Sequence, residues 1–329
     1  PEEWTPEEFE RIGKEFVRRA NAGKEKQDVY FIQPLLSEGY HFAITFARSL
    51  GVDLYNETLT APQLDNEAFV KLYRCLYKWT YQDRLCPTPS EASSISSDAS
   101  LGWTSFSQFV EGKYAMLTTT RSQVIPMRKA QLKTRISTSQ MPMYDFKNMP
   151  VSVRSLICYK GSKRKEDVMR FFSFLASKKY NDDIIASGDG LPPNPKYALS
   201  NPEFNAPSKY PHEGNLHRNE LKWAMNIGYA MPYSPYYPPE GGTPLMTALE
   251  RYSAGLMSAE EAVRYGNLRY REGIAWTIER NPALRARYEA DCELQKKIDE
   301  RKREGRKIPK EWIKNSFYQA YYAKKGMLE

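Results

Sequence analysis

The 329 residues carry 48 Lys and Arg against 40 Asp and Glu, with 41% hydrophobic and 13% aromatic content. That is enough apolar material for one large core or two modest ones, and it excludes an intrinsically disordered chain. The net charge of +8 is concentrated at one end, because 301–329 holds nine basic and three acidic residues.

Such a tail on a near-neutral body is a weaker nucleic-acid signal than a basic face spread over a domain, and it reads as a solvated, partly frayed helix. No stretch of about 18 apolar residues is present to span a bilayer.

Residues 6–22 place Phe9, Ile12, Phe16 and Val17 at helical spacing, with Thr5 as cap and Pro6 in the first turn. A short buried strand is predicted at 28–32, a helix at 35–50 stopped by Gly51, and a helix at 66–79. The Ser-rich stretch 87–100 is a surface loop. A short helix at 105–111 ends at Gly112, a strand follows at 114–118, and 123–131 is helical despite Pro126. Further strands are predicted at 135–139 and 153–159, then one long helix at 165–186 and a Pro-rich loop at 191–214. Helices at 219–231, 243–254, 258–279 and 282–300 complete the chain, the third with Ser258 and Glu261 at capping-box distance. Helices with about five short strands interleaved make an α/β pattern without the regular spacing of one doubly wound sheet.

Catalytic and metal signatures are missing from this pattern. Cys75, Cys86, Cys158 and Cys292 have no CxxC spacing, and His41, His212 and His217 form no ligand cluster with them, so no metal and no cofactor is expected. Cys75 and Cys86 are either bridged or buried as free thiols. Glu38 and Asp189 could be nominated as a glycosidase pair, but no motif joins them, and there is no phosphate loop or nucleophile elbow. Trp79, Trp103, Trp223 and Trp276 lie in or beside helical patterns and are assigned to core packing.

Six short segments, in order, resemble the family 1 extracellular solute-binding proteins of ABC sugar importers. They are Pro1 to Phe9 with Trp4 and Glu8, Gly51-Val52-Asp53 with 65–68, and Phe109-Val110-Glu111-Gly112-Lys113-Tyr114-Ala115-Met116. The others are the helix within 163–176, Gly190-Leu191-Pro192, and Ser258-Ala259-Glu260-Glu261-Ala262. The third is nearest to the family's Phe-x-x-Gly-Lys-x-Ala-Met. The resemblance covers residues 1–275 and not the tail.

The resemblance implies an α/β, two-lobe, periplasmic-binding-protein-like (type II) fold with an incomplete N-terminal lobe and a helix-rich C-terminal lobe. Residues 1–115 would supply C-terminal-lobe segments, 116–152 the return to the N-terminal lobe and the hinge crossing, 153–287 the completion of the C-terminal lobe, and 288–329 the basic tail. It implies a non-enzymatic receptor outside the cytoplasmic membrane that delivers a carbohydrate to ABC permease subunits. Contact with the membrane would come only through the permease or a lipid anchor outside this chain.

Ligand groups are expected where strands end, since ligands of open α/β sheets sit at that edge. Gln33, Glu38 and His41 follow the strand 28–32, and Thr120, Arg121 and Ser122 follow 114–118. The family's Gly-Pro-Trp aligns with those last three, so an Arg replaces a stacking surface and suggests an acidic sugar; the alternative is an Arg121 salt bridge within the protein. Ser152 and Arg154 border the strand 153–159, and Tyr233, Tyr236 and Tyr237 lie in a proline-stiffened loop suited to stacking on sugar rings. A nucleic-acid-binding protein using the Tyr-rich basic tail is the competing reading, and a carbohydrate-active enzyme the third. Under the receptor reading no nucleic acid is a partner, and deleting 298–329 leaves sugar binding untouched.

Overall fold

The computed structural model describes residues 3–94, 104–130, 132, 134–152, 156–238 and 242–329. Helix α1 (Pro6–Ala20) begins where expected: the Thr5 hydroxyl accepts from the Glu8 amide, and the Glu8 carboxylate accepts from the Thr5 amide at 2.9 Å. Its apolar stripe, Phe9 and Val17, packs on β1 (Tyr30–Ile32) and on α4 (Glu67–Tyr77). Phe9 lies 4.9 Å from Phe31 and 4.8 Å from Trp79, ring centre to ring centre, so the first helix, the first strand and the turn after α4 meet in one aromatic cluster.

The predicted helix 35–50 is two helices, α2 (Leu35–Glu38) and α3 (Tyr40–Ser49), separated at Gly39. Next come α5 (Pro89–Ser94), α6 (Thr104–Val110), β2 (Tyr114–Met116) and α7 (Val124–Lys129). β1 and β2 pair in parallel, Tyr30 opposite Tyr114 and Ile32 opposite Met116. A parallel pair requires a long crossover, which α2 to α6 provide.

The second half departs further from the sequence reading. Among the described residues, 135–139 forms no strand, and its one ladder-like contact is the Ile136 amide donating to the His212 carbonyl at 2.8 Å. Residues 153–155 lie outside the described residues, and 156–159 is not a strand. Instead β3 (Met149–Val151) pairs in parallel with β4 (Gly228–Ala230), a segment read as the end of a helix. The predicted helix 165–186 is α8 (Lys165–Leu175) and α9 (Lys178–Ser187), because the Ser177 hydroxyl caps a new start. Then come α10 (Pro195–Leu199), α11 (Pro202–Asn205) and α12 (Leu216–Ile227), followed after β4 by α13 (Pro244–Ser253), α14 (Ala259–Arg280), α15 (Pro282–Arg303) and α16 (Ser316–Lys324).

Packing divides these elements into unequal units. The main core takes α1, α3, α4, α13 and α14. Ile185, Ala198, Phe204 and Leu221 make a small separate cluster, so 153–287 is shared between two packing units. Helix α8 buries none of its residues, and Met169, Phe171 and Phe174 are exposed. Trp79 and Trp223 are buried as expected, Trp276 is 43% exposed, and Trp103 lies outside the described residues. All four cysteines are free thiols, and burial pushes the Cys86 thiol up to about 12.

The tail corrects the expectation most strongly. It is not a frayed helix: Ile298, Ile308, Phe317, Tyr318 and Tyr322 are buried with Phe146, and Tyr229 packs on them. Gly51 has φ +86°, and a side chain there would collide with the Tyr321 ring, so the close approach of α16 requires the glycine. Four of the nine basic residues form ion pairs within the protein. Lys302 pairs with the buried Glu57 at 2.7 Å, Lys314 with Asp291, Arg301 with Glu329 and Arg306 with Glu304.

Candidate carbohydrate site

At the C-terminal ends of β1 and β2 one side chain joins both strands. Gln33 is fully buried; its Oε1 accepts from the Thr118 amide at 2.6 Å, and its Nε2 donates to Glu38 at 3.1 Å. The Ser105 hydroxyl donates to the other oxygen of Glu38 at 2.9 Å. Gln33 and Glu38 are therefore brought together, but Gln33 spends both ends of its amide on the protein.

Helix α3 starts beside this group with Tyr40 and His41. Burial lowers the pKa of half-buried His41 and so favours a neutral ring, able both to donate and to accept. Burial, and then the neighbouring Tyr233, push the Tyr40 hydroxyl above the ordinary tyrosine range, with a smaller contribution from Tyr237. Tyr233 is 69% exposed, whereas Tyr237 rests half-buried against Tyr270 at 4.9 Å. Neutral hydroxyls, a neutral imidazole and an open aromatic face are groups that suit a polyhydroxylated, uncharged ligand.

The third tyrosine belongs to the core. Tyr236 is fully buried; its hydroxyl donates to Asp291 and its ring meets Tyr288 edge-on at 5.0 Å, which leaves no face for a ligand.

Thr120, Arg121 and Ser122 lie apart from that group. The exposed Thr120 hydroxyl and Ser122 share a hydrogen bond of 2.8 Å. Arg121 pairs with Glu220 and with Nδ1 of His217 and lies over Phe204 at 5.5 Å. The salt bridge is what the structure contains, and it removes the reason to expect an acidic sugar. Ser152 is exposed just after β3, and Arg154 is outside the described residues.

The Arg121 cluster continues into groups that sequence reasoning missed. Arg128 grips the fully buried Glu213 with two nitrogens at 2.6 and 3.0 Å, and Nε2 of His217 contacts the same carboxylate. The i,i+4 spacing of Glu213 and His217 was a usable signal. Burial alone would raise the Glu213 pKa, but the hydrogen bonds from His217 and Arg128 outweigh it and hold the carboxyl at about 2. A carboxyl depressed from 4.5 contributes stability that is complete above that pH and is lost as pH falls toward 2. Glu213→Gln is therefore expected to flatten the acid limb of the stability curve, read as urea midpoints between pH 5 and pH 3; an unchanged limb contradicts the pairing.

Two surface depressions, of 410 and 350 Å³, lie along α14 and the C-terminal segment, and none of the ten predicted residues that are described lines either. Among the described residues no group of three or more His, Cys, Asp or Glu side chains is placed to hold a metal ion, and no helix is long and apolar enough to cross a membrane.

No family model and no curated protein sequence matches the chain. Solved structures do. The sugar-binding protein MalE from the phytopathogen Xanthomonas citri is 18% identical, with a TM-score of 0.62 over 85% of this chain and 67% of its own. The ABC substrate-binding protein Lmo0181 from Listeria monocytogenes, in complex with cycloalternan, is 16% identical, with a TM-score of 0.61 over 83% and 64%. The maltose/maltodextrin-binding domain MalE from Bdellovibrio bacteriovorus, bound to maltotriose, is 17% identical, with a TM-score of 0.58 over 83% and 67%. The chain thus spans about two thirds of the length of the structures it matches. Over most of its own length it has the two-lobe, periplasmic-binding-protein-like α/β fold of the sugar-binding proteins of ABC transporters.

Proposed function

We propose that this chain forms part of a receptor that captures a carbohydrate outside the cytoplasmic membrane and delivers it to the permease of an ABC importer. The observation that carries the reading is the fold match with sugar-binding proteins over more than four fifths of the chain. The open Tyr233 face near Tyr40 supports it locally, and the Arg121–Glu220 pair favours a neutral oligosaccharide over a uronate.

Binding without chemistry suits the same groups, because Glu38 is engaged by Gln33 and Ser105 and faces no second carboxylate in those contacts. Delivery requires that the ligand favour a closed arrangement of the lobes over an open one, since only differential affinity shifts such an equilibrium. The tail's ion pairs and its packing speak against the nucleic-acid alternative, because Arg301, Lys302, Arg306 and Lys314 already pair with carboxylates and its aromatic residues lie in a core.

Calorimetry on the complete protein with maltotriose, cycloalternan and a uronate-containing oligosaccharide tests the reading. Binding of a neutral glycan is expected, with Tyr233→Ala costing about tenfold in affinity through a lost stacking face. Tyr236→Phe is expected to leave affinity unchanged while lowering stability by about 1.5–3 kcal/mol, the worth of a hydrogen bond to a charged partner. Failure of all three glycans to bind overturns the proposal.

A further inference from the structure

We propose that Asn315, at the start of α16, is a positioning residue for the Tyr233 face, acting through the buried pair Asp53–Arg48 on strand β4. The inference rests on the carbohydrate-receptor reading for its consequence, but the relay itself consists of contacts between protein groups. Asn315 Nδ2 donates to Asp53 Oδ2 at 2.9 Å. Arg48 holds that carboxylate with two parallel bonds, Nε to Oδ1 at 2.8 Å and Nη2 to Oδ2 at 2.9 Å. The same Nη2 donates to the carbonyl of Ala230, the last residue of β4, at 2.8 Å. Tyr318, one turn along α16, accepts from the Asp53 amide at 3.2 Å.

Three features make this chain of bonds directional. Asp53 and Arg48 are fully buried, so no water replaces a lost partner, and a planar guanidinium bound twice by one carboxylate has a fixed orientation. Arg48 Nη1 has no hydrogen-bond partner among the described residues, so among hydrogen bonds Asp53 and Ala230 alone set where the fork points. Beyond Ala230 the chain runs Met231, Pro232, Tyr233, Ser234, Pro235. Pro232, with its fixed φ, is the one stiff residue between Ala230 and Tyr233, so a displacement of Ala230 is carried on to Tyr233 rather than absorbed. The Met231 amide also donates to Val151 of β3 at 3.2 Å, which gives this segment its second anchor.

Asn315→Ser separates the relay from the helix cap. A serine oxygen still accepts from the Phe317 amide, as Asn315 does at 3.0 Å, but the shorter side chain lacks the Nδ2 that donates to Asp53 and to the Tyr55 and Asn56 carbonyls. In the ligand-free protein, hydrogen exchange of residues 228–233 is expected to quicken about fivefold while exchange in α1 is unchanged. With maltotriose as the probe, the variant is expected to bind about fivefold more weakly, and this loss is expected to vanish in a Tyr233→Ala background. A merely structural role would weaken binding equally in both backgrounds.

Unchanged exchange at 228–233 overturns the relay, and equal losses in both backgrounds overturn its action through Tyr233. If the wild-type protein binds no maltotriose, the receptor reading is what has failed, and exchange alone decides the relay. Should Asn315→Ser not reach the wild-type circular dichroism spectrum, Tyr318→Phe, which removes the acceptor for the Asp53 amide together with the hydroxyl's bond to Gln63, is read in the same way.

Discussion

Removal of residues 298–329 is expected to abolish cooperative folding. The truncation takes away Ile298, Ile308, Ile313, Phe317, Tyr318 and Tyr322, all buried, and leaves Phe146 and Tyr229 without the cluster they pack in. Loss of one buried aromatic costs about 3–5 kcal/mol, so losing three with their aliphatic neighbours exceeds the roughly 5–15 kcal/mol that holds a domain folded. The damage is polar as well. Glu57 accepts from Gln295 at 2.8 Å, from Lys302 at 2.7 Å and from Tyr322, and its carboxyl stays below the usual range because Lys302 and Tyr322 outweigh its burial. Without the segment that carboxylate loses Lys302 and Tyr322. A broad, non-cooperative thermal melt by circular dichroism is the expected result, and with it loss of sugar binding, the reverse of what a solvated tail would give. A sharp melt at the wild-type temperature would show that the segment is an accessory.

Arg48→Met is expected to cost about 3–5 kcal/mol, the usual penalty for leaving one member of a buried ion pair alone. The Arg48 and Asp53 side chains are 1% and 0% exposed, so the orphaned carboxylate has no solvent to turn to. Methionine keeps most of the apolar stem and removes the guanidinium, which also lies over the Phe317 ring at 5.3 Å. The melting temperature is expected to fall by roughly 5–15 °C. Arg48→Met with Asp53→Leu is expected to recover part of the loss, because removing both charges removes the desolvation penalty along with the attraction. A double variant as unstable as the sum of the two single ones would mean that the pair acts through packing alone.

Local chemistry by itself determined the helices with caps and one-sided apolar spacing. Thr5 with Glu8 and Ser258 with Glu261 form the capping boxes that their spacing announced, and β1 and β2 lie where short apolar runs follow a turn or a glycine. The order of short segments such as 109–116 was enough to point to the two-lobe fold.

What only the tertiary structure decided has a common cause: partners distant in the chain. Strands β3 and β4 are three residues each and carry no period of their own, so pairing Met149 with Gly228 is what makes them strands. Tyr236 and Tyr233 are the same residue type three positions apart, yet Asp291 and Tyr288 bury one while the other stays open. For Arg121 the sequence left a ligand contact and an internal salt bridge open until the fold brought Glu220 and His217 to it. The tail looked solvated because its charges are dense in sequence, but Glu57, Asp291 and the Phe146 ring await them in space, and charge density along a chain does not reveal where its counter-charges lie.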